Sequence, residues 1–391
     1  MSLAATPPQG QLLQAMPNEI ILRIMEHMTP GALLNLRLSN PLFDALFRSN
    51  RAITIIRALQ ALPELPLLLY LYTSDEEELQ PTDLFRPRVI DYVGEPHSVN
   101  LMSADDGHRS FPGVIVPKHV LNFHDVEELW RLAQVIDWWV EVYAKIRWRN
   151  APQNHRGLRP GEVDRVRKAV MHWWLYAHYH HGFTYWHRNF QQPKRWESSD
   201  TRLMIIRCMP TSEIRELADL WCRVRDTVSR DLCSSPDRVC RCTNPKGFDL
   251  VPWGAGEGRH RKIVRTYMKL DPEELRYYLS RFAYRKKAPT IKAITSCSRD
   301  FSRDTETLSI SINKVLEERM AVHGGVDWST LPSFGILDGD RANAQANAEW
   351  MDDAWPGGRI PLTVAAIGAL PPDTSSLACR GDDGTDAFIP Y

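Results

Sequence analysis

Between residues 16 and 43 the chain carries more apolar side chain than a segment of that length can bury. Pro17 suits the first turn of a helix, where its missing N–H costs nothing. Ile20, Ile21, Ile24, Met25 and Met28 recur after it at helical spacing and form one broad stripe. Thr29-Pro30 and Asn40-Pro41 each set an N-capping residue before a proline, which predicts two further helix starts. In the helix between them stand Leu33, Leu34, Leu36 and Leu38. At about 100° per residue these leucines spread around most of the helix circumference. A unit of roughly 40 residues has one small core, so the surplus must meet a partner or the rest of the chain. Spacing alone does not decide which leucines face inward.

The order Met16-Pro17, Glu19-Ile20, Ile24, Met28, Leu33-Leu34-Asn35-Leu36-Arg37 and Asn40-Pro41-Leu42-Phe43 resembles an F-box over roughly residues 13–55. Met16 stands where the family pattern begins with leucine, a volume-conserving departure. The resemblance implies a three-helix unit that docks on the small SKP-family adaptor and, through it, on a cullin in an SCF ubiquitin ligase. It implies adaptor binding by Met16, Pro17, Ile20, Ile24, Met28, Leu33 and Leu36. It also implies a non-catalytic protein without cofactors that recruits a protein client for degradation.

Composition narrows the classes. Lys plus Arg and Asp plus Glu are 48 each, a balance unlike that of a protein built to neutralise nucleic-acid phosphates. Residues 1–10 lack the basic and apolar parts of a secretory signal. The apolar run from Leu65 to Tyr72 is too short for a bilayer span and contains Pro66. Seven scattered cysteines do not form a disulfide framework. Together these features predict a reducing compartment, cytosol or nucleus, with neither membrane nor nucleic acid as partner.

The expected fold is all-α: an F-box at 13–57, a helix and proline-rich linker at 58–117, a Trp-rich helical domain at 118–323 and a loop-rich tail at 324–391. Prolines 81, 87, 96, 112 and 117 and the acidic run Asp75–Glu78 mark the linker, with a short strand expected at Gly113–Val116. Asp125 and Glu128 predict a capping box, followed by Leu129, Leu132, Ala133, Ile136, Trp139, Val140 and Tyr143 at helical spacing. Further helices are expected after Pro160 (ending at Gly182), from Thr211 or Ser212, from Asp271-Pro272 with Glu274, and from Leu308 to Val322. No leucine-rich or WD repeat is visible. The glycine-broken tail is expected to be loosely attached beyond about residue 370, with Trp328, Phe334, Trp350 and Trp355 docking the part before it.

Tryptophans crowd the helical domain, including the tandem pairs Trp138-Trp139 and Trp173-Trp174. Neighbours about 100° apart on a helix cannot share a face, so one of each pair is expected inside and the other against a neighbouring helix or groove. This Trp-rich body is similar to the helical regions that follow F-boxes in many filamentous-fungal proteins.

Enzymatic signals are weak. Gly254–Gly258 lacks the Gly-Lys-Ser/Thr ending of a phosphate loop. Cys222, Cys233, Cys240, Cys242 and His260 fit no zinc-finger spacing. His172, His178, His180, His181 and His187 form a dense cluster in which His178 and His181 are spaced to share a helix face, yet no carboxylate stands at a metalloprotease spacing. Arg259–Lys262 and Arg285–Lys287 are read as solvated loops and helix ends. Two alternatives remain: an F-box interaction or structural protein outside any ligase, and an enzyme with its site in the His/Trp-rich body.

Overall fold

The computed structural model describes residues 13, 16–74, 88–94, 97–103, 116–181, 201–232, 264, 267–282, 306–321 and 335–340. These form eleven α-helices and one small three-stranded sheet, an all-α protein. The chain divides into two compact units, one of residues 1–73 and 87–138, the other of residues 74–86 and 139–391. The boundaries expected at 57 and 117 thus fall inside the first unit, and the one expected at 323 inside the second.

In the first unit, α1 (Asn18–Glu26), α2 (Pro30–Ser39) and α3 (Pro41–Ser49) are followed by α4 (Arg51–Gln60) and α5 (Leu65–Thr73). The two Xaa-Pro signals work as expected. Thr29 Oγ1 accepts the Ala32 N–H at 3.4 Å, and Asn40 Oδ1 accepts the Leu42 N–H at 2.8 Å. Pro17 stands one residue before α1 rather than within its first turn, and its carbonyl accepts from the N–H groups of Ile20 and Ile21. Ile21, Met25, Leu33, Phe43, Phe47, Ile55 and Ile56 are buried. The apolar run from Leu65 to Tyr72 is core helix: Leu65, Leu68, Leu69, Tyr70 and Leu71 are buried. Among the described residues no single helix is long and apolar enough to cross a membrane.

The stretch expected as linker holds structure of its own. β1 (Val89–Gly94) pairs antiparallel with β2 (His97–Met102) and parallel with β3 (Lys118–Leu121), in the order β2-β1-β3. Alternation puts Ile90 and Tyr92 into the core while Asp91 faces outward, bonded to Lys118 and Asn100 at 2.9 and 2.8 Å. A Cβ on Gly94 would overlap the Tyr92 hydroxyl, so this position needs glycine. The strand expected at Gly113–Val116 lies outside the described residues but for Val116, which is not in a strand.

Helix α6 (Phe123–Arg147) begins two residues before Asp125, the expected cap. Asn122 Oδ1 accepts from the N–H groups of His124 and Asp125, while the Asn122 N–H donates to Asp125 Oδ2 at 2.8 Å. Asp125 therefore holds the reciprocal position rather than the cap. Its other oxygen accepts the Tyr72 hydroxyl at 2.7 Å. Farther along α6, Asp137 accepts the Gly31 N–H at 2.7 Å, placing a carboxylate at the positive end of α2. Arg51 on α4 pairs with Glu127. These bonds make the first half of α6 part of the first unit.

The second unit is built on α7 (Pro160–His180), packed against α8 (Thr201–Arg207), α9 (Thr211–Thr227) and α10 (Pro272–Phe282). A central helix must be apolar around its whole circumference, and Ala169–Ala177 are all buried. That is why Trp173 and Trp174 both lie inside. Trp139, Trp173 and Trp221 meet edge to face, with centroids 5.0 and 5.3 Å apart. The Trp139 indole N–H donates to the Pro272 carbonyl at 2.9 Å, tying α6 to the start of α10. There the expected cap is present: Asp271 Oδ1 accepts the Glu274 N–H at 2.8 Å. Helix α11 (Leu308–Ala321) is held by Glu318, which pairs with Arg207, and by Arg319, which donates to the carbonyls of Arg207 and Met209. Gly182, Trp186, Trp196, Trp328, Phe334, Trp350, Trp355 and everything beyond residue 340 lie outside the described residues.

Two outcomes test this core. Trp173→Ala removes the middle ring of the aromatic row and should cost about 3–5 kcal/mol, read from chemical denaturation followed by far-UV circular dichroism. The second concerns pH. His181 Nε2 accepts the Thr307 N–H at 3.2 Å, and burial, with Lys269 and Arg202 nearby, lowers its pKa from 6.5 to about 3. The unfolded chain therefore takes up a proton at His181 near pH 6.5 while the folded chain does not. The His181 contribution to stability should fall as pH drops from 6.5 toward 3, read as the difference between wild type and His181→Gln. Glu162 and Glu213 titrate lower: Arg156 holds Glu162 at about 2, while at Glu213 burial is outweighed by His172 and Lys168, again to about 2. Their stabilisation is present above 4.5 and lost below it. Between pH 7 and 5 the buried His180, lowered well below its ordinary range, adds to the His181 slope, while Asp271, raised by burial and by Glu274, opposes it. The difference between wild type and His181→Gln therefore reads the His181 effect.

Candidate protein-docking site

The first unit sorts its apolar residues into two populations. On α1, Ile21 and Met25 form the inward row; Ile20 and Ile24, one position earlier in each turn, stay 49 % and 37 % exposed. The i,i+4 spacing stacks Ile20 and Ile24 one above the other. Met16 and Pro17 are also exposed just before this row. Met28 and Leu36 are half-buried.

Leu33 corrects the expected docking set. It is only 1 % exposed and belongs to the core with Phe43 and Phe47, so it supports the surface from beneath. Exposed instead are Leu34 and Leu38, an i,i+4 pair on α2, with Leu38 77 % exposed, and Leu42 at the start of α3. A helix with leucine on nearly every side offers no asymmetry from which its rotation can be read, so this swap had no signal in the sequence. Arg37 is fixed between the two populations. Its guanidinium lies 4.1 Å from the centre of the Phe47 ring and 2.9 Å from Asp44, and holds the Asp44 carboxyl below its usual range.

Exposed aliphatic rows on α1 and α2 suit docking on a protein: burying such rows gains hydrophobic free energy, and short i,i+4 rows match the groove of a partner helix. They offer no group for acid–base or nucleophilic chemistry. Among the described residues no group of three or more His, Cys, Asp or Glu is placed to hold a metal ion. The His178/His181 pair separates, with His178 exposed and His181 bonded to Thr307. The tryptophans considered for a binding patch are core wherever described, apart from the half-buried Trp138. His187, Cys233, Cys240, Cys242, His260, Gly254–Gly258, Arg259–Lys262 and Arg285–Lys287 lie outside the described residues.

Comparison of the chain with protein-family models, with curated proteins and with solved structures finds no match.

The division between core and surface is measurable. Leu33→Ala should cost about 2–5 kcal/mol, whereas Ile24→Ser and Leu38→Ser should change stability by no more than about 0.5 kcal/mol. The midpoints of chemical denaturation of the three variants decide it.

Proposed function

We propose that this chain is an F-box adaptor: the first unit binds an SKP-family protein, and through it a cullin, while the helical second unit engages a protein client for ubiquitination. The observation that carries the reading is the pairing of the F-box order of residues in 16–43 with exposed aliphatic rows on the same helices, Ile20/Ile24 on α1 and Leu34/Leu38 on α2. The adaptor-binding set is thus Met16, Pro17, Ile20, Ile24, Met28 and Leu36, joined by Leu34 and Leu38, with Leu33 as internal support. The protein performs no bond chemistry in this role. Holding a client beside the ligase's charged conjugating enzyme turns a bimolecular encounter into an intramolecular one and raises the effective concentration of the reacting groups. Its setting is the cytosol or nucleus, where ubiquitin ligases of this kind work.

The test is a pull-down of the purified chain on the SKP adaptor, with wild type beside an Ile20→Asp/Ile24→Asp/Leu34→Asp variant. Each truncated anchor should weaken binding by about 2 kcal/mol, so the triple variant should be lost from the beads while its circular dichroism spectrum matches wild type. A folded wild type that fails to bind overturns the reading. Adaptor captured without cullin, when both are supplied, would keep the docking and remove the ligase.

A further inference from the structure

A short piece of the chain far from α7 and α9 in sequence is seated on those two helices. Ile336 and Asp219 lie 117 residues apart, yet the Ile336 N–H donates to Asp219 Oδ2 at 3.1 Å. The Ile336 carbonyl accepts from Arg165 Nε at 2.7 Å. Both backbone groups of one residue are thereby read by side chains, in a segment that bends at Ile336 and Leu337 and enters a 3-10 turn at Asp338. Ile336 is completely buried and Leu337 nearly so. Asp338 is read twice: its side chain accepts from Arg165 and from Arg159 Nη1, at 3.2 Å for the latter, and its N–H donates to Glu162 Oε1 at 3.0 Å.

The receiving groups are held by bonds of their own. Glu162 accepts two bonds from Arg156, at 2.6 and 2.5 Å, and one from the Arg159 N–H at 2.8 Å. Asp219 accepts the Tyr143 hydroxyl at 2.7 Å. A buried carboxylate without partners would force the site to collapse or titrate. These two keep partners whether or not residues 335–340 are in place. The cluster is therefore a formed receptor, rather than one that exists only through the segment it holds.

The geometry points to a peptide-binding site on α7 and α9 that takes a bent Ile-Leu-Asp type of segment, apolar residues followed by an acid, with the chain's own Ile336-Leu337-Asp338 as resident occupant. A client peptide of the same chemistry enters by displacing it. That the displacing peptide belongs to a client rests on the adaptor reading above; the peptide binding itself is measured without the adaptor. Because the resident segment is tethered, its effective concentration shields the site from weak ligands and admits those that bind better or are locally abundant. Arg165 sets selectivity, since it reads a backbone carbonyl and the acidic side chain at once.

The experiment uses the full chain and a fluorescein-labelled peptide of residues 331–342, followed by fluorescence polarisation without any SKP protein. An Ile336→Asp/Asp338→Ala chain, whose own segment is weakened, should bind the peptide about tenfold or more tightly than wild type. Adding Arg165→Ala to that chain, or Asp338→Ala to the peptide, should abolish the signal. Should the weakened chain fail to fold, the wild type titrated to millimolar peptide decides alone: saturable binding that the Asp338→Ala peptide lacks supports the site. No binding to a folded chain of either kind overturns it. A concentration-dependent dimer of wild type that Ile336→Asp abolishes would make a second copy the occupant and equally overturn the client-peptide assignment.

Discussion

A helix of nine or ten residues can bury about one row of side chains, because only positions three or four apart share a face. Helices α1 and α2 each carry more aliphatic side chains than one row holds. The interior formed with Phe43, Phe47, Ile55 and Ile56 takes Ile21, Met25 and Leu33. Once those places are filled, Ile20, Ile24, Leu34 and Leu38 have nowhere to go but the surface. The exposed aliphatic face is thus a direct outcome of limited interior volume. Asp137 fixes its attitude from outside the three helices, by bonding to the first turn of α2 at Gly31.

The second unit meets the opposite condition. Helix α7 is surrounded, so its tandem tryptophans are both absorbed into packing, and the polar tips that come with large aromatics find partners: Trp139 at the Pro272 carbonyl, Tyr143 at Asp219, Tyr176 at Thr307 and Ser311. Burial keeps Tyr176 protonated far above its ordinary range, and Tyr143, buried beside Asp219, is pushed up in the same direction. These hydroxyls are partnered within the packing, and the aromatic-rich, histidine-rich helix is core along most of its length.

What could be read from the sequence follows from how local each cause is. Thr29-Pro30, Asn40-Pro41 and Asp271 with Glu274 act within one helical turn, and the helix starts after them stand where they were expected. The start of α6 was misplaced because two cap-forming residues, Asn122 and Asp125, stand a turn apart, and Asp125 serves as the third helical residue instead of the cap. The strands hid in a stretch judged by its prolines: β1 and β2 are short, and only their pairing with each other and of β1 with β3 makes them a sheet. Periodicity placed Ile20, Ile21, Ile24, Met25 and Met28 in one stripe without dividing it, and Ile20 and Ile24 were singled out by the F-box resemblance alone. Leu33 and Leu34 were not distinguishable, since their assignment depends on where Phe43 and Phe47 sit in three dimensions. The peptide cluster left no trace, because Arg165, Asp219 and Ile336 come from three distant parts of the chain.

The two proposed surfaces differ in chemistry in a way that suits their tasks. Apolar rows bind by area, with little directional demand, and serve a partner that never changes. The cluster on α7 and α9 uses buried charge, where a wrong occupant leaves a carboxylate or a guanidinium without its bond, and that penalty rejects mismatched peptides more sharply than a lost methyl contact does. A constant adaptor calls for the first device, and a client that must be told apart from other proteins calls for the second. A resident Ile-Leu-Asp segment adds a threshold, since a client must outcompete a tethered rival before it is held. On this reading selectivity lies in the second unit, while the first supplies only attachment.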